Sequence, residues 1–463
     1  MKVHADAERN GEWFREQLTS SSDLVLKKLT IEDYHYLMVY LEPMVDTDTI
    51  NENVIKPLQE NPSKPYTSVI SMLDNKPTDT LEDALDAVVN GKSVIQKDGE
   101  SYCLLLGTEL NNDRAVNIPV NERVIRGAKQ AFIESFETNI YMIRKYASSS
   151  KLAVTYHDLG GHSVTRVAIA YMKGICKQEV VEELTKRITA AEGIDATVTL
   201  GYIKGIVTGR SFSFMPPIMI TERPDRVKAY LMEGKAVLIV EGSADALIVP
   251  ISFWSFFQSP DDYNMNWIVG SAIRCIRLLA FLVTLALPGL YVAFTTFIPF
   301  MLPTEFALTL QSSQRYISMP PVMEVLFMMF VLEIVREAAI RLASPIAQTI
   351  GVVGGIVLGS AVVQSNIVSN TSIIVVALTG LATFVIPVYE MSASIRLYSV
   401  VVIFAAQLLG IVGMTLSILL FVIHICRMNT LGVPYFEATF PFLDQMKDTF
   451  FRTPGRKAGA GKK

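Results

Sequence analysis

The sequence predicts a chain in two parts: a cytoplasmic α/β N-terminal domain with two lobes, followed by an all-α polytopic transmembrane domain. Two observations support this prediction. Asp, Glu, Lys and Arg are scattered densely up to about residue 277, and whole stretches carry none of them afterwards. Before that point, short β-rich runs alternate with amphipathic helical patterns, as in layered α/β folds. Half of the 463 residues are hydrophobic and 19% are charged, so more than one domain is expected.

Changes in composition divide the chain further. The loop-forming stretch "SSSKLAVTYHDLGGHS" marks a junction between the two lobes, and charged residues become sparse near Asn264 to Arg277. No internal repeat of solenoid length is visible. The predicted segments are an N-terminal segment at 1–22, lobe 1 at 23–145, lobe 2 at 146–264, a transmembrane domain at 265–436 and a basic cytoplasmic tail at 437–463.

Patterns within the lobes predict individual elements. In "KSVIQKDGESYCLLLG", Asp98-Gly99 between two β-rich runs predicts a hairpin with a two-residue type I′ turn. The stretch "RGAKQAFIESFETNIYMIRKY" is predicted to be one helix. A strand "RVAIAYMKG", a helix "KQEVVEELTKRITAA" and a buried strand "KAVLIVEGS" follow. The apolar face of the predicted helix consists of Phe132, Ile133, Phe136, Ile140 and Ile143.

Three uncharged runs predict the membrane spans. Leu278–Thr304 and Leu397–Ile423 are each long enough for one span, and Leu342–Tyr389 is long enough for two, since a helix needs ~20 apolar residues to cross a bilayer. Arg274 and Arg277 precede the first run and a basic tail follows the last, so the positive-inside rule places both termini in the cytoplasm. The N-terminal sequence also lacks the features of a secretory signal.

The stretch "MEVLFMMFVLEIVREAAIRLA" is apolar in its middle but too short there to span. Glu333 is spaced to pair with Arg336 at i+3, and Glu337 with Arg341 at i+4. With Glu324, these residues form a predicted membrane charge network. Two interpretations remain open: a partly inserted helix whose charges are paired internally or face a vestibule, and an interfacial helix with snorkelling side chains.

A stretch rich in glycines and amides lies in the second uncharged run. In "TIGVVGGIVLGS", Gly351, Gly355 and Gly359 recur every four residues, which predicts one face for close helix packing. In "SAVVQSNIVSN", Asn366 and Asn370 are predicted to share a helical face. Amides at membrane depth require a protein partner or water, so a packing network and a pore wall both remain open. The predicted pore-lining or gate residues are Gly355, Gly359, Val362, Val363, Gln364 and Asn366.

The sequence offers no residues for an enzyme site, and no cofactor or metal is predicted. It contains no G-x-x-x-x-G-K-[ST] loop, no nucleophile elbow and no G-x-G-x-x-G after a strand. Its four cysteines are widely separated without metal-ligand spacing. A formal net charge of -4 argues against nucleic-acid binding.

Two acidic motifs predict helix starts. In "TERPDRV", Thr221 is predicted to cap a helix whose first turn holds Glu222, Pro224 and Asp225, with Arg223 among them. "SPDDY" is predicted to do the same for the helix that enters the membrane. Ligand binding is the alternative for both motifs.

At these motifs the sequence resembles the A subunit of the GerA-type spore germinant receptors. The resemblance rests on the order and spacing of "VIRGAKQAFIESFETNI", "VAIAYMKGI", "TERPDRV", "EGKAVLIVEGS", "VPISF", "SPDDY", "PPVMEVLFMMFVLEIVREAAIRL" and "QTIGVVGGIVLG". These pieces cover most of the chain from about residue 123 to 436. Ala128, Glu241 and Ala244 depart from the residues usual in the family, which leaves local turn geometry open.

The resemblance implies a multi-pass protein of the spore inner membrane that acts in germination. Its implied partners are a multi-spanning B subunit that binds the nutrient, a lipoprotein C subunit, and further copies of itself in a ring that conducts monovalent cations. Val362 and Val363 are then candidates for an apolar gate, and Glu305, Glu324 and Glu333 for carboxylates that favour cations. A non-conducting scaffold is the alternative. A secondary transporter is weaker, because no inverted repeat with paired broken helices is visible.

Overall fold

A computed structural model of the chain describes residues 1–18, 21–70, 75–110, 118–194, 197–209, 213–301, 303–341 and 359–436. They form two compact units. The sheet unit comprises the described parts of residues 1–211, 217–251 and 430–433. The helical unit comprises the described parts of residues 212–216, 252–429 and 434–463.

Strands and helices alternate in the sheet unit, as predicted for an α/β domain. The strands are β1 (Leu24–Ile31), β2 (Tyr34–Leu41), β3 (Asn75–Thr78), β4 (Ser93–Lys97), β5 (Cys103–Leu106), β6 (Leu152–Leu159), β7 (Thr165–Met172), β8 (Met219–Thr221), β9 (Ala236–Val240) and β10 (Ala246–Val249). The helices are α1 (Ala7–Gln17), α2 (Thr47–Ile50), α3 (Lys56–Glu60), α4 (Tyr66–Val69), α5 (Leu81–Val89), α6 (Phe136–Tyr146), α7 (Gln178–Thr189), α8 (Leu200–Thr208) and α9 (Pro224–Met232).

The sheet unit is built from two lobes with the same topology. The strand order is β1-β2-β4-β5-β3 in the first lobe and β6-β7-β9-β10-β8 in the second, and neighbouring strands are antiparallel. Each strand of the first lobe therefore has a counterpart in the second: β1 corresponds to β6, β2 to β7, and so on to β5 and β10. Each lobe also begins with a helix and has another directly before its fourth strand. The structure therefore contains a repeat of domain length.

Side-chain contacts at the start of each lobe repeat as well. Asn10 in α1 accepts a hydrogen bond from the His4 N–H (3.2 Å) and donates one to the His4 carbonyl (2.7 Å). Asn139 in α6 makes the same two bonds with Ile133 (2.9 and 2.5 Å). Each amide ties the chain entering the helix to the helix itself, satisfying backbone groups that lie outside the helical hydrogen-bond pattern. The duplication thus extends to individual polar contacts.

The second half of each lobe carries the same turns. Thr78 and Thr221 end β3 and β8, and the hydroxyl of each accepts a hydrogen bond from the N–H two residues later (3.3 and 3.2 Å). Gly91 and Gly234, with φ of 93° and 84°, follow α5 and α9, where a left-handed residue favours glycine. In sequence, "NGKSV" at the start of β4 corresponds to "EGKAV" at the start of β9. The repeat is visible in sequence mainly at these turns.

Two predictions in the sheet unit are wrong in detail. The predicted hairpin forms between β4 and β5, but Gly99 and not Asp98 has a positive φ (88°), whereas a type I′ turn needs both. Helix α6 begins at Phe136 rather than near residue 126, because Ser135 caps it. The strand "RVAIAYMKG", the helix "KQEVVEELTKRITAA" and the strand "KAVLIVEGS" are confirmed as β7, α7 and β9.

A buried ion pair joins the two lobes. Arg144 of α6 is 2% exposed and donates to both carboxylate oxygens of Asp23 (2.8 Å each), which is fully buried just before β1. Arg144 also donates to the Leu152 carbonyl and the Ser21 hydroxyl (2.8 Å each). Charges removed from water need such complete pairing, and losing one partner leaves the other uncompensated.

Replacing Arg144 with Leu is expected to destabilise the sheet unit by about 3–5 kcal/mol, because Asp23 would remain buried without its partner. Such a loss lowers the midpoint of thermal unfolding by about 10 °C in a unit of this size. The measurement is thermal unfolding of the purified full-length chain, followed by circular dichroism. Lys173→Leu, at an exposed position, is the control, and equal shifts in the two variants would contradict this role of Arg144.

The helical unit confirms the predicted all-α class of the second part. Its helices are α10 (Pro260–Asn264), α11 (Trp267–Thr296), α12 (Thr304–Gln314), α13 (Pro321–Arg341), α14 (residues 359–364), α15 (Asn370–Val385) and α16 (Tyr389–Arg427). Among the described residues, α11 and α16 have the length and apolar composition to cross a membrane, and α15 is apolar but shorter. The number of spans stays a prediction, since residues 342–358 lie outside the described residues.

Helix α16 reverses direction at Gly410. This glycine has non-helical backbone angles (φ 60°, ψ -140°). Tyr398 donates to the Ser417 carbonyl (2.9 Å) across 19 positions, which one straight helix would hold about 28 Å apart. A side chain added to Gly413 would meet the Ala405 carbonyl at 2.0 Å, so glycine is required where the two halves approach. The run at 397–423 is therefore a helical hairpin and not the straight helix that a single span requires, and the number of times it crosses the membrane stays a prediction.

Candidate functional site

The "TERPDRV" motif connects β8 to α9. Thr221 ends the strand, and α9 begins at Pro224 with Arg223 at its cap position. The prediction that Thr221 caps the helix is wrong, because its hydroxyl accepts from the Arg223 N–H (3.2 Å) and donates to the Glu122 carboxylate. Asp225 lies in the first helical turn, as predicted.

The charged side chains of this motif are bound to protein groups. Arg223 is fully buried and donates to the Asp225 carboxylate (2.7 Å) and the Glu122 carbonyl (3.1 Å). The Glu222 carboxylate accepts from the N–H groups of Asn121 and Glu122 (2.6 and 2.7 Å). The motif therefore holds the segment before α6 against the second lobe. These contacts favour the architectural interpretation of the motif over ligand binding.

A buried carboxylate lies at the start of the helical unit. "SPDDY" forms α10 with the predicted cap, in which Ser259 and Asp262 form a reciprocal capping box. Asp262 is fully buried, and its Oδ2 accepts from Arg274 Nε (3.1 Å) and Arg277 Nη1 (2.7 Å) of α11. The two arginines predicted to precede the first span thus lie within α11 and hold α10 against it.

Glu324 of α13 is a second fully buried carboxylate. Its Oε2 accepts from the Ser369 N–H (2.8 Å) and the Ser372 hydroxyl (3.0 Å) at the start of α15. Tyr291 of α11 lies 3.2 Å from the Ser369 hydroxyl. A carboxylate is favourable at a helix N-terminus, where N–H groups are unpaired and the dipole is positive. Glu324 therefore fixes α13 against α15, and the prediction that it faces an aqueous mouth is wrong for a single chain.

The second half of α13 carries both expected ion pairs. Glu333 accepts from Arg336 (2.9 Å), and Glu337 accepts from Arg341 Nε (2.9 Å). The first pair extends to another helix, because Arg396 of α16 also donates to Glu333 (3.1 Å). Arg336 and Arg396 are 11% and 12% exposed, whereas Arg341 is 76% exposed. One pair is thus part of the packing between helices, and the other lies on the surface of the chain.

The predicted glycine face falls only partly within the described residues. Gly351 and Gly355 lie outside them. A side chain added to Gly359 in α14 would meet no atom within 4 Å, so this glycine makes no close contact within the described part of one chain. Helix packing at the three glycines stays a prediction that concerns an assembly of several copies.

The predicted pore residues at the end of α14 differ in exposure. Val362 is buried, Val363 is half-buried, and Gln364 and Asn366 are exposed. Asn366 has a left-handed backbone (φ 50°) and lies just past the helix end, where such a residue is common. Asn370 begins α15 instead. The prediction that Asn366 and Asn370 share one helical face is therefore wrong.

Comparison with known proteins identifies the family. The chain matches the family model described as "Bacillus/Clostridium GerA spore germination protein" over residues 12–460. The chain belongs to the GerA family. It is similar to spore germination protein KA of Bacillus subtilis (strain 168), at 33% identity over 452 residues, covering 95% of this chain and 83% of the relative. Spore germination protein A1 of the same strain is 32% identical over 443 residues (95% and 92%), and GerLA of Bacillus cereus is 30% identical over 452 residues (95% and 92%).

One solved structure is similar to part of this GerA-family chain. It is the crystal structure of the N-terminal domain of the A subunit of the Bacillus megaterium spore germinant receptor GerK3, with 26% identity and a TM-score of 0.43, covering 55% of this chain and 98% of that one. The family match confirms the resemblance seen in the motifs. With its apolar helices, this member of the germinant receptor A-subunit family is a membrane protein.

Sequence reasoning about this GerA-family chain missed the partners of the charged residues in its apolar helices. Ser369 and Ser372 lie 45 and 48 positions from Glu324, and Arg396 lies 63 positions from Glu333. The available signal was the presence of ionisable residues inside apolar helices, since such residues require partners. Within the described ranges, no three His, Cys, Asp or Glu side chains group closely enough to hold a metal ion.

Replacing Glu324 with Ala is expected to destabilise the helical unit by about 3 kcal/mol, because the buried Ser369 N–H would lose its acceptor and the Ser372 hydroxyl would keep only the Ser369 carbonyl. The measurement is the midpoint temperature at which the detergent-solubilised full-length chain loses its monodisperse gel-filtration peak. Glu324→Gln keeps an acceptor oxygen and should lose less. Glu305→Ala, at an exposed position of the same unit, is the control. If Glu324→Ala behaves like Glu305→Ala, the carboxylate does not hold the two helices together.

Proposed function

We propose that this GerA-family protein is a germinant receptor A subunit whose copies form a ligand-gated, cation-conducting pore in the spore inner membrane. The observation that carries the proposal is the end of α14, where Gln364 and Asn366 are exposed beside the buried Val362 in a long uncharged run. Amide side chains at membrane depth need a hydrogen-bonding partner or water. Neighbouring copies around an aqueous axis would supply both.

Each group of predicted residues has a distinct part in this proposal. Gly351, Gly355 and Gly359 would let helices of adjacent copies approach closely. Val362 and Val363 would form an apolar constriction that excludes water until the pore widens. Among the acidic candidates, Glu305 is exposed, whereas Glu324 is bonded to α15 and Glu333 lies between two arginines. Carboxylate rings concentrate cations, so Glu305 is the acidic residue best placed to do so.

The proposed complex contains a polytopic B subunit that binds the nutrient and a lipoprotein C subunit. This extension rests on the family and on relatives named as spore germination proteins. In it, nutrient binding to the B subunit is transmitted to the A-subunit ring, and monovalent cations leave the spore core. The sheet unit and both termini would lie in the cytoplasm.

A non-conducting scaffold is the second candidate function. The specific observation in its favour is that Asp262, Glu324 and Glu333 are all paired within one chain. Helices whose ionisable groups are satisfied internally can position partner subunits without surrounding water. The scaffold and the pore differ in what they predict for the two valines of α14.

Replacing Val362 or Val363 with Ala is expected to cause potassium leak without nutrient, because a wider and less apolar neck admits water more readily. The measurement is potassium flux from liposomes that contain the purified chain, alone and with its B and C partners. Val401→Ala, at an exposed position of α16, is the matched control and should not leak. Unchanged flux in both α14 variants would favour the scaffold, and chloride passing as readily as potassium would contradict cation selectivity.

Native cysteines test the proposed orientation. Burial raises the pKa of Cys103 to about 12 and also raises that of Cys176, so neither thiol should react at pH 8, because the thiolate is the reactive form. Cys426 is exposed next to the end of α16. A membrane-impermeant maleimide is expected to label Cys426 in inside-out vesicles and not in right-side-out vesicles, with Cys426→Ser as the control. Labelling only in right-side-out vesicles would contradict a cytoplasmic C-terminus.

A further inference from the structure

A cavity of about 500 Å³ lies between α13, α15 and α16 in the helical unit. This volume is within the range of roughly 300–1,000 Å³ typical of small-molecule sites. Most of the cavity wall is apolar, and the charged groups lie together at one end. The residues that carry the argument are Met329, Val376 and Val400 on the apolar wall and Glu333, Arg336 and Arg396 at the polar end.

The polar end lies at the level of the turn between α15 and α16. Arg336 is over the ring of Phe384 (4.9 Å to the centroid), the residue before the last of α15. Tyr389, the first residue of α16, also lines the cavity. The apolar wall continues along the helices from there, through residues such as Val376 and Val400. Turns between apolar helices of a membrane protein commonly lie near the polar headgroup region; with the α15–α16 turn there, the cavity would run from that region toward the hydrocarbon.

The charges at the polar end do not cancel. Arg336 and Arg396 both donate to Glu333 (2.9 and 3.1 Å), so two guanidiniums share one carboxylate. The Nε of each arginine is buried and has no hydrogen-bond partner within the described residues. Glu337 and Arg341 pair with each other further along α13. The polar end therefore has a net positive charge, and in the described part of the chain one N–H donor of each guanidinium is unsatisfied.

This combination fits an anionic amphiphile. Guanidinium groups bind phosphate through charge-assisted hydrogen bonds, and an apolar wall favours acyl chains. Phe330 and Leu397 line the cavity and are 64% and 56% exposed, so the apolar surface continues onto the outside of the helices. A lone inorganic phosphate would leave this apolar surface uncovered. A zwitterionic lipid would bring a cation to a site that is already positive.

We propose that this cavity binds an anionic phospholipid of the membrane, with its phosphodiester at Arg336 and Arg396 and an acyl chain against the wall formed by α13, α15 and α16. Bound lipid would supply the negative charge that balances the second guanidinium and would hold the α15–α16 turn against α13. The site is separate from α14, so its test does not depend on ion conduction.

The test is native mass spectrometry of the purified full-length chain in detergent, titrated with phosphatidylglycerol or with phosphatidylcholine of the same acyl composition. The wild-type chain is expected to retain phosphatidylglycerol about tenfold more strongly, the difference that one charge-assisted hydrogen bond supports. Arg336→Gln should remove most of this preference. Glu333→Gln, which removes the competing carboxylate, should increase it. Because the two substitutions are expected to change the lipid preference in opposite directions, a general loss of folding cannot explain both results.

Arg341→Gln is the matched control, since it removes an exposed arginine from the same helix and should leave retention unchanged. Glycerol 3-phosphate, added as a competitor without acyl chains, should not displace the lipid. Equal retention of both lipids, or unchanged preference in Arg336→Gln, would overturn the proposal. Full displacement by glycerol 3-phosphate would overturn the assignment of the apolar wall to an acyl chain. Loss of bound lipid when the B and C partners assemble would contradict the lipid as occupant and indicate that an acidic segment of a partner takes the cavity.

Discussion

A charged side chain inside an apolar helical unit is stable only when the protein supplies its partners. Three carboxylates show how this constraint determines helix positions here. Asp262 binds two arginines of α11, Glu324 binds the start of α15, and Glu333 binds arginines of α13 and α16. Each contact joins segments that apolar packing alone would allow to slide, because apolar surfaces are compatible with many registers. The polar contacts therefore specify which helices meet and where.

The sheet unit follows a different principle, because its specificity comes from a repeated lobe. The equivalent contacts of Asn10 and Asn139, and the equivalent glycines at 91 and 234, show that turns and helix starts are the features the two copies share. Core positions exchange one apolar residue for another without loss of packing, so they carry little sequence identity. In the second lobe, Arg223 follows the threonine turn and donates to the Glu122 carbonyl. This copy of the turn therefore also contacts the segment before α6. The family motif is thus an elaborated form of a turn that both lobes use.

Alternating and uncharged patterns were sufficient to predict the fold class, strands β7 and β9, helix α7 and the first long apolar helix, α11. The beginning of α6 was not predictable from spacing, because apolar residues at 132 and 133 continue the helical pattern of the residues that follow. The reversal at Gly410 was also hidden, since a glycine in an apolar run is common in membrane helices. Arg396 could not be assigned to Glu333, because the contact depends on how α16 packs against α13.

The need for partners applies also to polar groups that a single chain leaves exposed within an apolar run, and the proposed pore would supply those partners. Gln364 and Asn366 lie at the end of α14, and their amides would find partners and water where several copies meet. The most direct measurement is the number of chains in each particle, obtained by native mass spectrometry of full-length protein extracted from membranes in mild detergent. The account predicts a closed multimer of this chain. A particle that strictly contains one copy would contradict it.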